Sequence, residues 1–412
     1  MKQSRRNFIR TSAIGGVALA APSLIGSVAR AQDGPIKLGS LHDLAGPLAA
    51  TGEPMVYAIM LAVEEINAAG GLLGREVELI NYDTQSNIQL YSQFAQQLAV
   101  RDKVDVIHGG ITSASREAIR PIFSRFRTLY FYNTLYEGGV CDRNTFNTGT
   151  TPAQTVEKLV PHAMNLWGKK AYIIAADYNY GQITAKWMRK YVEDNGGEVA
   201  SIDFFPLDVT NFGPSISRIQ AAEPDLLLSA MVGGNHTAFY RQWAAAGLKD
   251  EIPIASTTFG LVNEPATLED AESTGVLGSY GYFEELDTPA SLAFVKAIKD
   301  RHGAQTPYVS ELAAASYEGV HLWAEGVRQA GSVDRMDVIE ALETGLSFDG
   351  PSGSVVIDPK THHVTRNTFL AEVENRAWNV LETFEQQQPL DTAAVCDLEA
   401  NPNDTTHYII DI

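Results

Sequence analysis

Apolar and polar positions along this chain alternate between two rhythms. Short stretches rich in apolar residues at 36–41, 77–82, 104–107 and 128–133 are too short for helices and read as strands. Between them, Ala58, Ile59, Ala62, Val63 and Ile66 recur at helical spacing within 52–69, where Gly70 and Gly71 stop the pattern, and a second helix is expected over about 87–101. Strand, helix and strand in succession predict a parallel sheet covered by helices. After a polar linker at 144–155 the alternation resumes, with strands at 171–176, 198–205, 226–232, 253–256 and 275–283 and helices at 182–194, 212–222 and 236–246. Helices dominate 289–345, and 354–385 reads as strands and hairpins. The late helices can complete the first sheet and the last strands the second, so the chain is expected to cross between two α/β lobes more than once.

Within this pattern, residues 104–138 are the richest in candidate chemistry. The strand at 104–107 ends in Gly109-Gly110, and Thr112-Ser113-Ala114-Ser115 supplies hydroxyls suited to a helix start, with Ala118, Ile119, Ile122 and Phe123 on one helix side. The next strand runs into Thr134, Tyr136, Glu137 and Gly138. Two successive strand ends would thus present Ser113, Tyr132, Thr134 and Glu137 together, where ligands sit in open α/β sheets.

Composition narrows the setting. The chain has 412 residues, enough for two domains with full cores. At its start, Ser4-Arg5-Arg6-Asn7-Phe8-Ile9-Arg10 is a twin-arginine pattern, followed by a mildly apolar run and by Ala29-Arg30-Ala31, which together predict an export signal over 1–31 cut before Gln32. Cleavage would remove Lys2, Arg5, Arg6, Arg10 and Arg30 and no acids, taking the formal charge from −19 to −24. Such a surface repels nucleic acid and anionic lipid. In an oxidising compartment Cys141 and Cys396 can pair, tying the C-terminal tail to the loop after Tyr136, or stay separate thiols; sequence alone leaves both open. His362-His363 looks like a metal pair, but neighbours on a strand face opposite ways, so no metal and no cofactor is expected. The chain has no G-x-S-x-G, H-E-x-x-H or C-x-x-C motif, which argues against an enzyme.

The stretch Ile66 to Asn87, INAAGGLLGREVELINYDTQSN, resembles the type I periplasmic binding proteins of the branched-chain amino acid and amide class, which feed ABC importers. More narrowly, SASREAIRP (113–121), YNTLYEG (132–138), ADYNYGQ (176–182), MVGGNHTAFYR (231–241), STT (256–258) and HHVTRNTFLAEV (362–373) are similar to the urea and short-chain amide branch. The resemblance implies two doubly wound Rossmann-like lobes joined by a three-crossover hinge: lobe I from 36–150 and 284–347, lobe II from 151–283 and 348–388, and a tail from 389–412. It implies a ligand site at Ser113, Tyr132, Thr134, Tyr178, Tyr180 and Thr257 or Thr258. Ile111 and Leu135 depart from that branch, which has an aromatic residue and a proline there.

Urea and small amides are flat and neutral, with N–H donors and a carbonyl acceptor, so a site for them needs acceptors, donors and aromatic faces. Glu137 and Asp177 are expected to accept, Ser113 and nearby N–H groups to donate, and Tyr132, Tyr178 and Tyr180 to sandwich the plane. Each has a plainer explanation: Ser113 as a helix cap, Tyr132 as a strand aromatic, Glu137 as a partner for Arg143, Asp177 as the cap of the helix near Gln182. Tyr178 and Tyr180 would point the same way on an extended turn. The expectation is a monomeric exported protein that captures urea or a short-chain amide for an ABC permease in the inner membrane. An amino acid ligand or a sensing role is the alternative.

Overall fold

Five parallel strands form the first sheet. The chain enters through β1 (Ile36–His42), α1 (Ala49–Ala68), β2 (Val77–Asp83) and α2 (Ile88–Gln96), which runs on as a π-helical turn over Gln97–Asp102. It continues with β3 (Val106–Gly109), α3 (Ser113–Phe126), β4 (Leu129–Tyr132) and the short β5 (Thr145–Asn147). The strand order is β2-β1-β3-β4-β5, every pair parallel, so the order reverses between β1 and β3. These positions come from a computed structural model that describes residues 34–233, 236–303 and 306–411. The expected export signal lies outside the described residues.

The second sheet begins with α4 (Val156–Trp167), β6 (Lys170–Ala176), α5 (Asn179–Asp194), β7 (Glu198–Phe205), α6 (Gly213–Ala222) and β8 (Leu226–Ala230). It goes on through α7 (His236–Ala245), β9 (Ile254–Ser256), two single turns, α8 (Glu264–Thr267) and α9 (Asp270–Ser273), and β10 (Leu277–Tyr280). The chain then returns to the first sheet with α10 (Pro289–His302), α11 (Glu311–Ala330) and α12 (Arg335–Leu342). Trp323 and Val327 of α11 and Leu342 of α12 share a buried core with Ile36, Leu38 and Ile59. Finally β11 (Ser347–Gly350), β12 (Gly353–Ile357), β13 (Val364–Glu374) and β14 (Ala377–Gln387) extend the second sheet, whose order is β11-β12-β13-β10-β9-β8-β6-β7 with β14 paired to β13. The last strands join antiparallel: β13 pairs with β10 after the chain's return from the first sheet, while β11, β12, β13 and β14 pair in succession as hairpins, which need no crossover.

Three differences from the expected pattern matter. The strand expected at 104–107 sits at 106–109, so its end carries the Gly-Gly turn itself. Gly110 has φ +87°, and a Cβ there would lie 3.0 Å from the Tyr130 hydroxyl, which only glycine avoids without strain. The helix expected from 182 begins three residues earlier, at Asn179, which re-aims the turn before it. The turns α8 and α9 and the three-residue β5 carry too few apolar positions for either period to register.

The crossings between sheets share one buried polar node. Arg366 of β13 donates from Nη1 to the Thr148 carbonyl (2.8 Å) and from Nη2 to the Gly281 carbonyl and to Glu318 Oε2 (each 3.1 Å). Glu318 of α11 also accepts from the Ser352 hydroxyl (2.6 Å) and amide (3.1 Å). Glu311, at the start of the same helix, accepts from Thr150 Oγ1 (2.6 Å) and the Gly281 amide (2.9 Å). Thr148–Thr150, Gly281 and Ser352 lie on the first, second and third crossing. Gly281 is needed there: a Cβ would stand 2.6 Å from Arg366 Nε. With Arg366 and Glu318 ion-paired and Glu311 hydrogen-bonded, these buried charges escape much of the penalty an isolated one would meet, although Arg366 Nε has no partner among the described residues.

The tail folds back on the first lobe. A disulfide joins Cys141 to Cys396, with Cα atoms 5.4 Å apart and 255 residues between them in sequence. The short α13 (Leu390–Ala393) leads into it, and beyond it Tyr408 donates its amide to the Gly139 carbonyl (2.8 Å) while Arg120 reaches the Thr405 carbonyl (2.8 Å). The histidine pair sits at the head of β13 with separate partners: His362 lies 3.1 Å from Glu343, and His363 contacts the Tyr136 hydroxyl. Among the described residues no group of three or more His, Cys, Asp or Glu could hold a metal ion, and no helix is long and apolar enough to cross a membrane.

Candidate functional site

Between the sheets lies a cavity reached by the C-terminal ends of three parallel strands from each lobe. The first lobe contributes Leu48 and Thr51 after β1, Ile111, Thr112 and Ser113 after β3, and Tyr132, Thr134 and Leu135 at the end of β4. The second contributes Tyr178 and Tyr180 after β6, Val232 and His236 after β8, and Thr258, Leu261, Val262 and Glu264 after β9. Leu312 of α11 closes one side. Water centres can move through about 80 Å3 of it, several times what one water occupies, so it suits a molecule of several heavy atoms.

The first-lobe wall sets hydroxyls among Leu48, Ile111 and Leu135, and the protons of those at its head end are committed elsewhere. Tyr132 Oη donates to the Ile111 carbonyl (2.8 Å), and Thr134 Oγ1 donates to the Gly110 carbonyl (3.1 Å). Ser113 Oγ donates to Glu137 Oε2, because an ion-paired carboxylate can only accept. What these three hydroxyls present to the cavity is therefore lone pairs. Thr112 caps α3 through the Ser115 amide (3.1 Å), leaving the amides of Ser113 and Ala114 without an acceptor among the described residues.

Behind Ser113 is a buried charge pair. Glu137 Oε1 accepts from Arg116 Nη2 (2.9 Å), and both side chains are fully buried. The Arg116 guanidinium lies 5.0 Å from the Tyr132 ring centre and 4.5 Å from that of Tyr136, a cation–π arrangement that is strongest when desolvated. Burial alone would lower the Arg116 pKa, but the Glu137 charge outweighs it and holds the group well above its ordinary value. Burial also pushes the phenols of Tyr132, Tyr178 and Tyr180 up, so all three face the cavity as neutral groups.

The second-lobe wall sets Val232, Leu261 and Val262 beside polar groups that hold the wall in place. Glu264 accepts from His236 Nε2 and, through Oε2, from the amides of Gly260 (2.8 Å) and Val262 (3.1 Å), so it clamps the loop carrying Leu261 and Val262 to the start of α7. Thr258 donates to the Met231 carbonyl, and the Tyr180 hydroxyl is bonded to Thr257 Oγ1 (2.9 Å). The Tyr178 hydroxyl has no partner among the described residues. The two tyrosine rings lie 6.2 Å apart.

Of the residues singled out from sequence, Ser113, Tyr132, Thr134, Tyr178, Tyr180 and Thr258 line the cavity together. Three do not. Glu137 stands behind Ser113, held by Arg116 rather than by Arg143, which pairs with Glu343. Asp177 is exposed, because the early start of α5 makes Tyr178 the residue before the helix and turns Asp177 outward, where it accepts from Gln182 Nε2 (2.9 Å). Thr257 opens instead on a small adjoining hollow with Thr184 and Ser279. Tyr178 is the extended residue just before α5, and Tyr180 stands in the first turn of that helix. Sequence reasoning passed over His236, Leu261, Glu264 and Leu312. The first three follow strand ends of the second lobe, and that position was their available signal.

Two α/β lobes closing strand ends around one small cavity define a protein that clasps a ligand. The chain belongs to the periplasmic binding protein family, whose sequence profile matches residues 35–377. Members are periplasmic substrate-binding proteins of ABC transporters, not enzymes, and deliver small ligands to their permeases. A relative from Brucella abortus (strain 2308), called Leu/Ile/Val-binding protein homolog 6, is 26% identical over 384 residues, covering 90% of this chain and 96% of that one. Among solved structures, a solute-binding protein of an ABC transporter from R. palustris in complex with 4-hydroxybenzoate has a TM-score of 0.78 at 26% identity, covering 87% of this chain and 100% of that chain. A leucine-binding protein from Thermotoga maritima, with a TM-score of 0.76 at 21% identity over 85% of this chain and 99% of that chain, shares the fold.

Proposed function

We propose that this protein is an exported solute-binding protein, sent out by its twin-arginine signal, that captures a short-chain amide between its lobes and delivers it to an ABC permease. The observation that carries the ligand is the direction of the three hydroxyls. Ser113, Tyr132 and Thr134 turn oxygen lone pairs, not protons, toward the cavity, so the ligand's head must bring the protons. An amide –NH2 does so, and its carbonyl finds the first amides of α3 or the Tyr178 hydroxyl. A carboxylate brings only acceptors and would have to turn these hydroxyls away from their present partners. The apolar lining from Leu48, Ile111, Leu135, Leu261 and Leu312 suits a short tail, which urea lacks.

One observation favours a second reading. The R. palustris protein binds 4-hydroxybenzoate, and the lining from Leu261, Val262, Leu312 and Ile111 would accept a ring. Calorimetry of the purified mature protein against acetamide, propionamide, urea, 4-hydroxybenzoate and leucine decides between them. Saturable binding of the amides, with urea weaker and the acids absent, is the expected result; tight binding of hydroxybenzoate or leucine alone overturns the amide reading and keeps the importer role.

A further inference from the structure

Glu137 is fully buried and reaches no part of the cavity, yet it fixes what the cavity can recognise. Its two oxygens are divided: Oε1 takes Arg116 Nη2 (2.9 Å) and Oε2 takes the Ser113 hydroxyl. Charge makes the second bond one-way, since a carboxylate paired to a guanidinium has no proton to offer. The other two hydroxyls at that end donate to backbone carbonyls, which likewise cannot reverse. Of the three, only the Ser113 bond depends on a side chain, and hence on a residue that substitution can invert.

We infer that Glu137 is a positioning residue for ligand selectivity: by drawing the Ser113 proton out of the cavity it makes the head end accept, and so favours a neutral, proton-donating amide over the matching carboxylate. This rests on the amide reading above. The glutamine variant tests it cleanly. In Glu137→Gln the carbonyl can stay on Arg116 while the amide –NH2 donates to Ser113 Oγ, which frees the serine proton to point into the cavity.

The probes are two isosteric pairs, propionamide with propionate and benzamide with benzoate, because the ratio of affinities within a pair reports the head and cancels the tail. Wild type should prefer the amide of each pair, and Glu137→Gln should narrow that ratio about tenfold. Glu137→Asp, which keeps the charge, should retain the preference with weaker binding overall. In a Ser113→Ala background, Glu137→Gln should no longer move the ratio. Should Glu137→Gln fold poorly with Arg116 left to Glu117 alone (2.9 Å), the double variant Glu137→Gln with Arg116→Gln removes the less-compensated charge and is read the same way. An unchanged ratio in a folded glutamine variant, or a narrowed ratio that persists without Ser113, overturns this inference alone. Wild type that prefers the carboxylates, or binds neither pair, overturns the amide reading and takes this inference with it.

Discussion

The two walls of the cavity are made from equivalent parts, three parallel strand ends each, and are finished differently. The first-lobe wall turns hydroxyl oxygens to the ligand space and backs them with a fully buried Arg116–Glu137 pair. The second-lobe wall turns leucine, valine and tyrosine faces to it and uses a buried carboxylate, Glu264, hydrogen-bonded to His236 and two amides, to pin its own loop. The same chemical device, a buried carboxylate, orients a recognition group on one side and a scaffold on the other. On the amide reading the first lobe therefore selects the head of the ligand and the second sets the size of its tail.

The sharpest way to break this contrast is Glu264→Ala. If Glu264 is scaffold, removing it strands His236 and two amides, and the protein should lose about 3 kcal/mol or more of stability, at least about 1 for each group left unpaired, read by denaturant unfolding. A variant that kept its stability but lost binding would move Glu264 into the recognition set.

Acid should separate the lobes next. Burial lowers the pKa of His42, His108 and His363 to about 3, from 6.5 when unfolded. Their contribution is complete above pH 6.5 and is lost as pH falls toward 3, because the unfolded state binds protons the folded state cannot. Three such groups cost on the order of 3 kcal/mol across the first pH unit below 6.5. Asp391, raised by burial to about 6, works the other way: it adds stability below its unfolded value of 3.8 and gives it up as pH rises through 6, so it offsets part of the loss. His42 and His108 stand on β1 and β3, and His363 bridges to β5. Hydrogen exchange at pH 5.5 should therefore show the first sheet opening before the second, and His108→Gln should flatten the stability profile. Equal exchange in both sheets would refute it.

The smallest effect is expected from Tyr180→Phe. The Tyr180 hydroxyl is bonded to Thr257 (2.9 Å), so its loss should cost about 1 kcal/mol of stability and leave amide affinity within about twofold by calorimetry. A tenfold loss of affinity would mean that the second wall reads polarity after all.

Much of the fold was legible because its signals are long and periodic. β7 falls at 198–205 as expected, and most other elements begin or end within three residues of the positions their apolar spacing implies. The site was legible where it depends on strand ends and failed where it depends on the phase of one turn. Asp177 was misplaced because the first turn of α5, Asn-Tyr-Gly, carries little apolar periodicity, so the helix start was set three residues late. Glu137 was assigned the right neighbour, Ser113, but the wrong role. Arg116, three residues along the same helix, takes its other oxygen, and pattern does not reveal which cation a buried acid will choose.

The disulfide carries one more implication, and it is topological. Cys141 and Cys396 close a covalent ring, and every strand of the second sheet, from β6 through β14, lies inside it. A single nick anywhere between the two cysteines, even one that severed a crossing, would leave both fragments tied to one another at the first lobe. The second lobe is in effect a captive of the first: it can open, and it can be cut, but under oxidising conditions one cut cannot release it.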